Sequence, residues 1–396
     1  MTPSRDLNEP SISLLVLQPS PFCNINCSYC YLPDRTSKQK MTMEVLEATI
    51  TRILEADLIQ NELSIIWHAG EPLAVPIYWY RAAFEIIRRL IPNDISVHHS
   101  IQSNGILLNA TWCKFIREHH ISIGLSIDGP AHLHDAYRKT RSGRGTHASA
   151  VRGLKLLQKH DIPFSIISVI THASLGKADE IYEYFMKLGV TQIGFNIEET
   201  EGINTSSSLE ATSDEAIREF MNRLFLLQKQ NGNTLIIREF EIARDKILGM
   251  PSMSDWEFPY YNEQVRPLGI VSVASDGSFS TYSPELLGMP TLPYGTFSLG
   301  NVLTDAFSHA VETSMFQKVF DDLCTGLRLC RENCVYYGFC GGGAPANKYY
   351  ENKTLASAET RYCRHSIQTP LEIVLKDMEQ ALESSPIPSL SERSSM

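Results

Sequence analysis

The 396-residue chain is short of three things, and each shortage excludes a class of function. It has no uninterrupted apolar run of the roughly 18–20 residues that a membrane-spanning helix needs, so no membrane association is expected. Its first residues, MTPSRDLNEPSIS, hold no apolar core of the kind a secretory signal carries, so the expected compartment is the cytoplasm. Basic residues are also scarce: 35 Lys and Arg stand against 45 Asp and Glu, a net charge of −10. Nucleic-acid binding draws on a basic surface, so no nucleic-acid partner is expected, and the acidic excess reads as solubility.

What is present is an ordinary globular composition, 43% hydrophobic and 20% charged. The length suits one large α/β domain and a smaller module. Cysteine is the informative residue. There are nine, which in a reducing compartment do not suggest a disulfide framework. All but Cys113 and Cys324 fall in two tight sets, which points to metal or cluster ligation. Those two sit in helical patterns and read as buried, inert thiols.

Between residues 13 and 200, β-branched runs alternate with helical patterns. The strand candidates are SLLVLQ, LSIIWHAG, SVHHSIQSNG, ISIGLSIDG, FSIISVIT and TQIGFNIEE. Amphipathic stretches such as MTMEVLEATITRILEAD and YWYRAAFEIIRRLI lie between them. A spacing of about 30–40 residues suits βαβ units on a parallel sheet. Six strands favour a partial barrel over a closed eight-stranded one, with ligands gathering at the C-terminal strand ends. Helices follow over roughly 212–250, then a hairpin pattern, GIVSVASDGSFSTYS, a cysteine-rich segment, a helix near 367–383 and a tail, SSPIPSLSERSSM, expected to be disordered.

The first set, Cys23, Cys27 and Cys30 in PFCNINCSYCYLP, supplies three thiolates after the first strand. An iron–sulfur cluster ordinarily takes four cysteines, so three leave one iron open; a zinc knuckle with a distant fourth ligand is the alternative. CNINCSYC resembles the cluster motif of the radical S-adenosylmethionine (SAM) enzymes, and the resemblance continues strand by strand. It implies a 4Fe–4S cluster whose open iron is chelated by SAM. It also implies SAM contacts from Gly70 and Glu71 in HAGEP, Gln102 and Asn104 in QSNG, Ser126 and Asp128 in SIDG, Arg138, and Tyr29 of the cluster motif. Glu71 would accept from the methionine ammonium, and Arg138 would offer a fork of donors to the methionine carboxylate. Lys139, Arg141 and Arg144 read as a solvated basic loop. Val169 and Ile170 are candidate adenine contacts.

The second set is Cys330, Cys334, Cys340 and Cys363. Four thiolates complete one cluster or one zinc site. The segment resembles the SPASM module of radical SAM peptide maturases, which commonly holds two auxiliary 4Fe–4S clusters. All four outer-cluster positions are filled here. The inner-cluster positions are not: Ala344 stands at one, and the hairpin has no cysteine, with Tyr282 and Ser283 near the expected place. The expectation is therefore two 4Fe–4S clusters in all, one binding SAM and one auxiliary.

The fold class expected is α/β, a partial (β/α)6 radical SAM barrel followed by a small cysteine-rich, SPASM- or twitch-like auxiliary-cluster module. The divisions are a flexible N-terminus (1–12), the barrel (13–235), a helical bridge (236–265), the cluster module (266–365), and a C-terminal helix with a tail (366–396). Over about residues 13–380 the chain is similar to maturases that make three-residue cyclophanes in precursor peptides, including those with glycine-rich repeats. That resemblance implies a precursor peptide with a leader and a flavodoxin- or ferredoxin-type electron donor as partners. It makes Glu285, in SPELLG, the candidate catalytic base. No additional N-terminal leader-recognition domain is expected, so an exposed strand edge beside the hairpin is the expected docking place for a leader. Formylglycine formation, thioether cross-linking and a zinc-binding adaptor without radical chemistry are the other readings.

Overall fold

The structure, a computed structural model, describes residues 11–249 and 262–384. Among them twelve strands occur: β1 (Leu14–Leu17), β2 (Ile25–Cys27), β3 (Glu62–Trp67), β4 (Ser96–Ser103), β5 (Ser122–Ser126), β6 (Arg138–Thr140), β7 (Phe164–Ile170), β8 (Gln192–Ile197), β9 (Ile236–Ile237), β10 (Ile270–Val273), β11 (Ser278–Thr281) and β12 (Gly300–Asn301). Ten form one sheet in the order β12-β11-β10-β1-β3-β4-β5-β7-β8-β9, and β2 pairs with β6. The six strands expected from the sequence, β1, β3, β4, β5, β7 and β8, run parallel and side by side.

Local chemistry explains why the intervening segments coil. Helix Met43–Glu55 starts at Thr42, whose hydroxyl accepts from the Val45 amide, and buries Val45, Leu46, Thr49, Ile50 and Ile53 along one stripe. Helix Ile77–Leu90 lays Trp79 and Tyr80 edge-on against Trp67 of β3, with ring centroids 5.7 and 5.3 Å apart. Within β3, Leu63, Ile65 and Trp67 are fully buried while Ser64 and Ile66 are half-buried. The period-two alternation of a strand thus gives one face to the core. The other, half-open face carries Gln102, Ser126 and Val169 near the ends of β4, β5 and β7. Ile170 points the opposite way, into the core, so of the two adenine-contact candidates only Val169 shares that face.

The hairpin from the cysteine-rich half extends the same sheet. β10 lies parallel to β1 with Leu14 opposite Ile270, and β11 returns antiparallel. Its turn places Gly277 at φ +91°, where a Cβ would sit 2.6 Å from the Asn301 side-chain oxygen. The hairpin's own outer edge is partly covered: β12 pairs with Ser278 and Phe279, and Ser280 and Thr281 are buried, so among the described residues the sheet ends on this side at the two-residue β12.

Two apolar clusters hold the molecule together. The larger packs the inner face of the parallel strands against the helices and includes Phe279, Phe307 and Leu371. The smaller gathers Val265, Tyr282, Leu286, Tyr294, Phe297, Phe316, Leu323, Leu327 and Tyr350 beneath the hairpin. Cys113 is buried as expected, whereas Cys324 is only half-buried, and burial pushes both thiols up. Residues 1–10 of the expected flexible N-terminus, 250–261 of the helical bridge and 385–396 of the tail lie outside the described residues. No helix among the described residues is long and apolar enough to cross a membrane.

Phe279 is fully buried at the join of hairpin and barrel, edge-on to Phe307 at 4.6 Å. Phe279→Ala should cost about 3–5 kcal/mol, measured by urea unfolding. A loss below about 1 kcal/mol would mean that the hairpin is not integral to the core.

Candidate functional site

The motif residues collect at the C-terminal ends of the parallel strands, and the cysteine loop is fastened there by groups far away in sequence. Cys27 ends β2, which pairs antiparallel with β6, setting Cys27 opposite Arg138. The Arg141 guanidinium donates to the Cys23 carbonyl at 3.1 and 2.8 Å and also to the Arg35 carbonyl. The expected solvated basic loop is therefore corrected at Arg141. Although exposed, it bonds the Cys23 carbonyl and shares the Arg35 carbonyl with the Cys23 amide.

Gly70 has φ +66°, and a Cβ there would stand 2.5 and 2.6 Å from the carbonyl oxygens of Ser20 and Phe22. The Glu71 amide then donates to the Phe22 carbonyl at 2.8 Å. The close approach that glycine permits is thus made to the cysteine loop itself.

Glu71 is buried, and its carboxylate accepts from the Leu73 amide (2.9 Å), the Ser103 hydroxyl (2.8 Å) and the Asn104 amide (2.8 Å). Burial pushes its carboxyl up, and these hydrogen bonds oppose the shift. The Asn104 side chain reaches back to Asn24 at 2.7 Å, with Cys23 Sγ 3.9 Å away. On the half-open face Gln102 donates to Ser126 at 3.0 Å across the absent side chain of Gly124.

Asp128 organises the far side of the loop. It accepts from Arg138 Nε at 2.9 Å and Nη2 at 3.1 Å, from the Val169 amide at 3.0 Å and from the Tyr29 hydroxyl. The Arg138 guanidinium also lies 5.4 Å from the Tyr29 ring centroid. Burial alone would raise the Asp128 carboxyl, but Arg138 more than offsets it and holds it below its usual range. His134 locks the turn: Nδ1 accepts from the Asp128 amide at 3.3 Å, and Nε2 stands 3.0 Å from Thr146 Oγ1, which donates to the Arg138 carbonyl. That chain fixes the proton on Nε2, and burial lowers the imidazole to about 4.

The two cysteine sets differ in how they could hold metal. Burial, helped by Glu71, pushes the Cys23 thiol up to about 12, and burial pushes Cys27 to about 11. Ligation there has to displace thiol protons. In the second set Cys330 lies on helix Ser314–Asn333, Cys334 caps it, Cys340 ends the turn Tyr337–Cys340, and Cys363 opens Cys363–Gln368. Burial raises all four thiols, and each feels the charge of another of the four, so they share one space. Among the described residues no three His, Cys, Asp or Glu converge closely enough to hold one metal ion.

A cavity of about 590 Å³ opens between the cysteine loop (Pro21, Tyr31) and the hairpin segment (Ser272, Glu285, Met289). Hollows of about 440 and 610 Å³ also occur, but they lie at the opposite, N-terminal ends of the strands, away from every motif residue. Near Glu285 the structure adds two groups that the sequence reading left without a role, Glu199 and Glu201, just past β8. They hydrogen-bond to each other, and the Asn347 amide donates to both. Burial raises all three carboxyls, Glu199 to about 7, and the charges of Glu285 and Glu351 push Glu199 and Glu201 further the same way. Their place past a C-terminal strand end is the signal that would have flagged them.

Between its ordinary value of 4.5 and about 7, Glu199 keeps a proton in the folded protein that the unfolded chain has lost. Stability therefore falls as pH rises through that window. Glu201, which burial also raises, holds its own proton through the same window, so Glu201→Gln should shrink the fall between about pH 5 and 7 in urea unfolding. An unchanged slope would show that Glu201 is ionised in the folded protein.

Comparison with known proteins agrees with this geometry. The sequence profile of the Radical SAM superfamily matches residues 17–185, from the end of β1 through the helix after β7. An uncharacterised protein of Synechocystis is 41% identical over 375 residues, 93% of each chain. The serine-type anaerobic sulfatase-maturating enzyme of Klebsiella aerogenes is 34% identical over 196 residues, 49% of this chain and 48% of that enzyme, so the match spans about half of that relative. Among solved structures, native anSMEcpe with bound AdoMet has a TM-score of 0.74 at 24% identity, over 94% of this chain and all of that one. Streptococcus suis SuiB bound to precursor peptide SuiA has a TM-score of 0.62 at 14% identity, over 89% of this chain and 76% of that one. At such identities the structural likeness is one of fold. With the profile matched over residues 17–185 and a relative matched almost end to end, the chain belongs to the radical SAM superfamily.

Proposed function

We propose that the chain is a maturase of ribosomally made precursor peptides. It would join a side-chain β-carbon to the ring of an aromatic residue two positions earlier, closing three-residue cyclophanes. The observation that supports this most is the cavity between the first cysteine loop and Glu285, with the Glu199–Glu201 pair behind it. A substrate side chain there lies between a radical source and a proton acceptor.

Cys23, Cys27 and Cys30 would hold one 4Fe–4S cluster, with Tyr29, Gly70, Glu71, Gln102, Asn104, Ser126, Asp128 and Arg138 shaping the SAM side. Bound together, cluster and SAM supply a carbon radical that removes one hydrogen atom from substrate. The protein's own residues do the rest. Asp128 keeps Arg138 charged but takes its Nε–Nη2 fork, so the methionine carboxylate would meet the rest of the guanidinium, and the Glu71 hydrogen bonds set the spacing between the β3 and β4 ends. Joining carbon to an aromatic ring also requires loss of one proton and one electron. Glu285 would take the proton and share it with Glu199 and Glu201.

Cys330, Cys334, Cys340 and Cys363 would hold a single auxiliary cluster suited to taking the electron. The absence of a second is supported by what replaces it. The Ala346 amide donates to the Ser283 hydroxyl at 3.2 Å, joining the hairpin end to the cysteine-rich segment, and Tyr282 and Phe316 fill the space with apolar packing. An external donor of the flavodoxin or ferredoxin type would supply electrons.

Formylglycine formation is the second reading, favoured by the sulfatase-maturating Klebsiella relative. Mass spectrometry of a precursor peptide with repeated aromatic-x-x motifs, after anaerobic reaction, separates the two. Cyclophane formation predicts two hydrogens lost per cross-link, no aldehyde trapped by hydrazine, and no fragmentation inside the three-residue span. A trapped aldehyde, or an unchanged mass, would reject it. Glu285→Gln should slow cross-linking at least about 100-fold while SAM cleavage persists.

A further inference from the structure

Lys348 is almost fully enclosed on the helix Pro345–Asn352, and its ammonium stands 3.4 Å from Cys330 Sγ. Among the described residues no carboxylate pairs with it. A buried ammonium without a counter-charge is costly, so its natural partner is the negative charge of ligated thiolates. The surrounding chain is built to admit it. At Gly326 a Cβ would stand 2.2 Å from the Leu355 carbonyl oxygen, 2.8 Å from that of Ser357 and 3.1 Å from Lys348 Nζ, so only glycine lets this loop close over the ammonium.

A second cation faces the other side of the set. Lys246, on helix Arg238–Leu248, shares a cavity of about 410 Å³ with Cys340 and Gly343. The loop between them is held by Asn262, whose amide donates to the carbonyls of Cys340, Gly341 and Gly343 at 3.0–3.2 Å. Two further donors point at sulfur, the Gly342 amide at Cys340 (3.4 Å) and the Thr360 hydroxyl at Cys363 (3.1 Å). The one carboxylate whose charge reaches Cys334, Glu359, is bonded to Arg364 and Gln368.

We infer that Lys348, seconded by Lys246, sets the reduction potential of the centre held by the second cysteine set, keeping it high enough to accept an electron. Reduction adds one negative charge to a cluster already carrying that of four thiolates. A fixed buried cation beside a ligand sulfur stabilises the reduced form more than the oxidised one. Net charge and hydrogen bonds to sulfur are what set such potentials. The inference rests on the second set holding an iron–sulfur cluster, and it gives that cluster a direction, as electron acceptor.

The test is a potentiometric titration of the full-length, reconstituted protein followed by electron paramagnetic resonance, with SAM added to shift and so identify the signal of the first centre. In Lys348→Met the reduction equilibrium of the second centre should fall at least tenfold, about 59 mV for one electron. Lys348→Arg should restore it, Lys246→Met should give a smaller drop of the same sign, and the first centre should not move. An unchanged midpoint in Lys348→Met at about eight irons per chain overturns the inference and leaves the cluster assignment standing. If Lys348→Met fails to assemble the second centre, Lys246→Met decides, a drop supporting the inference and no drop overturning it. Zinc with about four irons in the unsubstituted protein would instead remove the cluster reading, and this inference with it.

Discussion

A single buried carboxylate, Asp128, connects the parts on which the site depends. It lies just past β5 and binds Arg138 of β6, the amide of Val169 in β7, and Tyr29 of the cysteine loop. Because β6 pairs with β2, fixing Arg138 also fixes Cys27. The three thiols are therefore positioned by an ion pair more than 90 residues away in sequence. A buried pair of this kind adds little net stability, but removing one partner leaves an uncompensated charge. Its value lies in geometry: both partners are held charged and in one place before any ligand arrives.

On the proposed single auxiliary cluster, the same logic carries to the other half of the chain. The hairpin is a continuation of the parallel sheet, so its position is set by β1. Beneath it the small aromatic core takes over the stabilising work that metal does in small modules. The four remaining cysteines can then be devoted to one centre, with cations on two sides. The cavity between this half and the first cysteine loop is lined by Glu285, whose charge reaches the Glu199–Glu201 pair.

Much of this was legible from the sequence because it is local. β-branched runs, helix caps and the Asp276–Gly277 turn each declare themselves within a few residues, and so did the six parallel strands and the hairpin. The cysteine spacings and strand-end motifs were equally plain. What escaped was set by long-range pairing. Nothing near Arg141 shows that it will bond the Cys23 carbonyl, because that contact spans 118 positions. The β2–β6 pairing, only three residues a side, is too short to leave a pattern. Lys348 looks like any surface lysine on a polar helix until the chain closes over it. The pairing of β12 over Ser278 and Phe279 escaped for the same reason, since Gly300 and Asn301 carry no strand signal of their own.

On the proposed function, the polar network around Asp128, and not the cysteines alone, prepares the first centre for SAM. Asp128→Asn tests it most directly, since the side chain keeps its shape and loses only the charge that holds Arg138. The measurement is the change in the resonance spectrum of the reduced first centre as SAM is added. The account predicts that the variant still assembles this centre but no longer responds at SAM concentrations that saturate the unsubstituted protein. An identical response at identical concentrations would contradict it.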